Sequence, residues 1–251
     1  MGEIITAGIV FACLSAASIG MMYLYPRLSA RHRDDETNTV LRLVANIFVV
    51  MTSLVFGLLI NSSKNTFETI DSNVHGFSTS LIMFDRSLRT YGVETEETRR
   101  RLREYIETAI AHPARSDDAL VHHHDPAANA LDQVGGALDR IAPADRFHEG
   151  LLAEARQQYQ TVVLQRWSIV EQSEASVPRL IIWMLMAWMT LIYGSFGYRA
   201  PHNPMVVGMF LVSATLIATS VYFVLDMSVP FHGPIQVSAA PLHRALAEIQ
   251  P

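Results

Sequence analysis

Four apolar runs, at residues 4–25, 40–60, 177–198 and 205–225, constrain this chain more than any other feature. Each is about twenty residues long, the length an α-helix needs to cross roughly 30 Å of hydrocarbon. In lipid every backbone polar group must be paired inside its own segment, so such spans are helical. The first run, IITAGIVFACLSAASIGMMYLY, carries no charge and is preceded by Glu3 with no Lys or Arg. A secretory signal peptide needs a basic start and a shorter apolar core. A transmembrane helix is therefore expected. The second run, VLRLVANIFVVMTSLVFGLLI, has Arg42 near its start, where a long side chain can snorkel. The third opens at Pro178, which suits a first helical turn, and carries Trp183, Trp188, Tyr193 and Tyr198, rings suited to interface depth. RAPHNP joins the third run to the fourth, so these two form an antiparallel pair.

Composition agrees. Half of the 251 residues are hydrophobic and 17% are charged, where soluble domains carry about 25% charged residues. A net charge of −5 without a long basic run argues against a nucleic-acid partner. The single cysteine, Cys13, allows no disulfide within the chain and no cysteine metal site.

Between the second and third runs lie about 115 residues with helical periodicity and no strand pattern. Phe67, Ile70, Val74, Phe77, Leu81, Phe84 and Leu88 recur at threes and fours, which carries the second helix on to Tyr91-Gly92. Thr95 is placed to cap a helix opened by Glu96 and Glu97 and ending near His112. Asp125-Pro126 starts another helix. Asp145 caps a longer one with Phe147, Leu151, Ala155, Tyr159, Val162 and Trp167 along one face, able to run almost unbroken into the third span. After the fourth run, Leu242, Leu246 and Ile249 mark a short amphipathic helix, to lie on the membrane or on the inserted helices. The expected fold is an all-α membrane protein: four transmembrane helices with a helical extramembrane domain inserted between spans two and three. The divisions are residues 1–63 for the first two spans, 64–176 for the helical domain, 177–226 for the last two spans, and 227–251 for an interfacial turn and the C-terminal helix.

The first short loop carries Arg27, Arg31 and Arg33, and the second Arg199. By the positive-inside rule both loops are cytoplasmic. That makes a multi-pass protein of the cell inner membrane with both termini and the helical domain extracytoplasmic.

Catalytic signatures are absent: no P-loop, no G-x-S-x-G, no H-E-x-x-H and no kinase set. Neither an enzyme nor a cofactor is expected. His122, His123 and His124 are weak metal candidates, because adjacent residues point apart whereas ligands usually sit at i, i+4 or on separate elements. Residues 112–129 read as a surface loop. The run TRRRLREY spreads its arginines round a helix and reads as a solvated face paired with acids.

Span two carries a stripe. Asn46, Ser53, Gly57 and Lys64 fall within a wedge of roughly 40°, with Asn61 close by. Polar and small residues on a membrane helix avoid lipid. Two readings remain: packing between helices, or the lining of a pore built by symmetry between protomers.

At the end of span four, Asp226 precedes a corner of Pro230, Phe231, Gly233 and Pro234. The prolines stiffen it, the glycine allows unusual dihedrals, and Phe231 is placed to insert at headgroup depth. Asp226 either accepts backbone donors at the corner or puts charge at a pore mouth.

The tail LDMSVPFHGPIQVSAAPLHRAL, through Asp226, Pro230, Phe231, Gly233, Val237 and Ser238, resembles the closing signature of the bacterial bestrophin-like family of unknown function. VFGLLINSSKNTFETIDSNV resembles that family's exit from span two, and the layout of two spans, helical insert and two spans is similar. True bestrophins, a remoter likeness, are pentameric anion channels whose second span lines the axial pore. The resemblance thus implies self-association, as a pentamer, in a lipid bilayer, with small ions passing along Asn46, Ser53, Gly57, Asn61 and Lys64. The alternative is a non-conducting membrane scaffold that binds a partner through its helical domain. Two departures stand out: no counterpart of the bestrophin calcium clasp is visible, and bestrophins hold their insert in the cytosol, opposite to the arginine count here.

Overall fold

A computed structural model describes residues 2–28, 35–112, 125–172, 179–198, 200–229, 231 and 233–249. The described residues form helices and no strand: α1 Gly2–Leu24, α2 Asp35–Tyr91, α3 Glu96–Ala111, α4 Pro126–Asp139, α5 Arg146–Gln172, α6 Arg179–Gly197, α7 Pro204–Met227 and α8 Ala240–Ile249. Stretches of α1, α2, α6 and α7 are long and apolar enough to cross a membrane. Whether α5 continues into α6 lies outside the described residues.

The chain divides into two compact units. One, the apolar unit, holds residues 1–66 and 176–228; the other, the helical unit, holds 67–175 and 229–251. Helix α2 therefore supplies its first half to the apolar unit and its second half to the helical unit.

In the apolar unit α1 packs against both α6 and α7. Val10 and Leu14 of α1 meet Leu185, Met189 and Tyr193 of α6 and Ala214, Ala218 and Val221 of α7, with Leu59 of α2 joining them. The approach of α6 to α1 depends on Gly197. A Cβ there would lie 2.1 Å from the Ser18 carbonyl oxygen, and backbone cannot swing aside. The Ser18 hydroxyl, fully buried, donates to Leu14 O at 3.0 Å and so is satisfied by its own helix. Asn203 caps α7 by accepting from the Met205 amide at 3.0 Å, with Pro204 filling the first position.

The helical unit is built on the periodic face of α2. Ile70, Val74, Phe77, Leu81, Phe84 and Leu88 are buried, as their spacing predicts. Each fully buried side chain of this size contributes about 1.5–3 kcal/mol. Leu102, Tyr105 and Ile106 of α3, Leu131, Val134 and Leu138 of α4, and Leu152, Ala155 and Val162 of α5 complete the core. Gly92, at φ 122°, ends α2 with a backbone that a side chain would strain.

Of the two expected caps, Asp145 forms as read, and Asp125, where a further helix is expected to start, caps as well. Asp125 accepts from the Ala127 and Ala128 amides at 2.9 and 3.2 Å, and Asp145 accepts from the His148 amide at 2.8 Å. Thr95 differs. It makes no side-chain cap on α3, and its hydroxyl lies 2.8 Å from Leu88 O and 2.7 Å from Gly92 O. The tight turn at Gly92 swings the hydroxyl back to the end of α2, where unpaired carbonyls need donors.

Helix α8 lies on the helical unit, with Ile249 in its core and Leu242 and Leu246 packed against it. Side chains of α2 hold both its ends. Ser78 donates to Pro241 O at 2.5 Å, and Arg89 donates to Glu248 O at 3.1 Å and Ile249 O at 3.4 Å. The second contact places a cation at the helix C-terminus, where the dipole favours it.

The TRRRLREY run splits. Arg100 and Arg101 pair with Glu97 and Glu104 on the solvated face, but Arg99 is buried. It donates to Asp85, itself only 3% exposed, at 2.8 Å, while Arg89 holds the other Asp85 oxygen at 2.7 Å.

Candidate functional site

Within the single chain Asn46, Ser53, Gly57, Asn61 and Lys64 are all exposed. The face of α2 that turns inward carries Ala45, Thr52, Leu59 and Ser63 instead. At 100° per residue the two faces lie about 120° apart. The stripe is thus not a packing face within this protomer. A Cβ at Gly57 would meet nothing within 4 Å, so no neighbouring helix demands a glycine there. The Ser53 hydroxyl donates to Val49 O at 2.8 Å, which keeps it satisfied without a partner helix. Beside the stripe, Ile47, Val50, Leu54 and Leu58 are also exposed. Of the four apolar helices α2 is the least covered. Only 11% of its most apolar stretch is buried, against 17–28% for the others.

Asp226, near the end of α7, is buried at 3% exposure rather than open to water at an interface. Tyr222 precedes it by one turn on the same helix. Ser228 closes the helix, its hydroxyl donating to Leu225 O at 2.6 Å. Pro230 lies outside the described residues. Gly233 adopts φ 91°, the unusual dihedral its place in the corner suggests. Ser238 accepts from the Ala240 amide at 3.1 Å, at the start of α8.

Phe231 does not extend as a free headgroup anchor. It packs against the core of the helical unit, where apolar surface lies within reach. There it borders a cavity of about 380 Å³. Phe77, Ile110, Ile169 and Leu242 supply further apolar wall, and Gln236 and Ser238 come from the tail. Arg166, 7% exposed and paired with Asp125, and Tyr105 add polar groups to the lining. The sequence reading missed this site. Its residues come from α2, α3, α4, α5 and the tail, and no local spacing joins them.

Burial, foremost, pushes the Tyr105 hydroxyl above its ordinary value of 10, and the nearby Asp125 charge adds to the rise. A raised value means the folded state holds the phenol proton more tightly than the unfolded state. That contribution is complete below pH 10 and is lost as pH rises through the folded value. Thermal melts above pH 10 are expected to show Tyr105→Phe losing less stability per pH unit than the parent; equal slopes would remove Tyr105 as the cause.

Among the described residues no group of three or more His, Cys, Asp or Glu is placed to hold a metal. His122, His123 and His124 lie outside them. A family model described as Bestrophin-like domain matches residues 12–242. No curated protein and no solved structure matches the chain.

Proposed function

The chain belongs to the Bestrophin-like domain family, and from that premise we propose that it is an integral membrane protein that assembles into a homo-oligomeric ion channel, with α2 arranged around the axis. The observation that carries this reading is the polar stripe exposed on the least covered of the four apolar helices. Asn46, Asn61 and Lys64 facing hydrocarbon would be expensive. A ring of protomers removes the cost by turning every copy of the stripe to a common water-filled axis. The exposed Ile47, Val50, Leu54 and Leu58 beside it then meet lipid or the neighbouring protomer. The remoter likeness to true bestrophins supports five copies and the passage of small ions. By the positive-inside rule, Arg27, Arg31, Arg33 and Arg199 support a reading with the short loops cytoplasmic and the helical unit outside the inner membrane.

Purified protein in planar bilayers is expected to carry ion current, to be reduced by Ser53→Leu, and to run as a closed ring by native mass spectrometry. Cysteines introduced at 112–129 are expected to react with an impermeant thiol reagent added to intact spheroplasts. Silent bilayers from a well-formed oligomer would leave the scaffold reading in its place. Labelling only after lysis would reverse the orientation without touching conduction.

A further inference from the structure

The cavity of the helical unit has the makeup of a ligand site independent of the stripe. At about 380 Å³ it falls within the usual range of small-molecule sites, roughly 300–1,000 Å³. Its walls are mostly apolar, from Phe77, Ile110, Ile169, Phe231 and Leu242, and Arg166, Tyr105, His112, Gln236 and Ser238 supply its polar side chains. The charge of the lining is one-sided. Among the described residues Arg166 lines it and no Asp or Glu does.

Asp125, the partner of Arg166, is not among the described residues that line the cavity. One of its oxygens is already taken by the Ala127 and Ala128 amides. A guanidinium carries five N–H donors in a fixed fork, more than Asp125 uses. The cavity therefore presents a buried guanidinium with donors to spare in a mostly apolar lining. An apolar body fits the walls, and a carboxylate satisfies the fork by charge-assisted hydrogen bonds.

We propose that this cavity binds a small organic anion, a carboxylate on an apolar body, with Arg166 holding the carboxylate. Short fatty acids and aromatic acids share that chemistry, and two probes separate them. Octanoate and phenylacetate are titrated by calorimetry into the detergent-solubilised full-length protein, beside octanamide and phenylacetamide. At least one acid is expected to bind, its amide about tenfold or more weakly; the acid that binds identifies the body. Arg166→Gln is expected to abolish the preference for acid over amide. Ala109→Phe, which fills the chamber and leaves Arg166 and Asp125 in place, is expected to abolish binding of both forms. Three results would overturn the proposal: no binding of either acid, equal affinity for acid and amide, or an unchanged signal in Ala109→Phe, which would put the probes in the detergent. None of these readouts depends on ion conduction.

Discussion

Asp85→Ala is expected to destabilise the helical unit by about 3 kcal/mol, a drop of about 10 °C in its melting temperature. Removing one partner of a buried ion pair typically costs about 3–5 kcal/mol, because it strands the other charge. Arg99 is that other charge, 9% exposed and 2.8 Å from Asp85. Two features set the figure at the lower end. Glu96 remains 2.9 Å from Arg99, and Arg89 is nearly half exposed and can turn to water. Arg89 also donates to the last carbonyls of α8. Its release should therefore raise amide exchange in α8 before the rest of the unit. The double variant Asp85→Leu with Arg99→Met removes both charges and should melt closer to the parent than Asp85→Ala does. Melts of the full chain in detergent, with hydrogen exchange read separately on α8 peptides, test both points. A single variant within about 1 kcal/mol of the parent would mean that water reaches the pair.

The contrast between Arg99 and its neighbours marks where sequence reasoning stops. Arg99, Arg100 and Arg101 are chemically the same, and helical geometry alone only says that they point in different directions. The buried one is chosen by Asp85, fourteen residues away on another helix, and Asp85 sits in a stretch read for its apolar period. The legible features were those set by local rules. Asp125 and Asp145 cap because a carboxylate beside free amides needs nothing distant. The face from Ile70 to Leu88 is buried because its period is helical. Thr95 obeys the same chemistry at the wrong helix, since Gly92 turns the chain and offers its hydroxyl nearer carbonyls. The cavity was beyond reach for a different reason. Its guanidinium, Arg166, is held by Asp125 from a position 41 residues earlier, and no local spacing joins the two. On the stripe, angles from the sequence singled out a face, and burial separates it from the packing face only once Ala45, Thr52, Leu59 and Ser63 are seen turned inward.

Gly57→Phe is expected to abolish current while leaving the protomer as stable as the parent. The two halves of this expectation rest on different facts. Stability should hold because a side chain at Gly57 meets nothing within 4 Å, and because glycine in a helix interior is the poorer helix former. Current should vanish because symmetry repeats the substitution in every protomer. A ring of phenyl groups at one level of a narrow axis is both a steric plug and an apolar constriction that sheds water. The competing explanation of the stripe is helix packing between protomers, where small residues let backbones approach. On that account the same ring of phenyl groups forces the helices apart, and the assembly dissociates. Native mass spectrometry beside bilayer recording separates the two. An intact ring without current places Gly57 on the axis. Separated protomers place it at an interface, and an intact ring with undiminished current turns it to lipid. Leu58→Phe, one residue round the helix on the exposed apolar flank, is the matched control. It adds a ring of the same size to the same turn, and current should persist if the axis lies on the side of Asn46, Ser53 and Gly57.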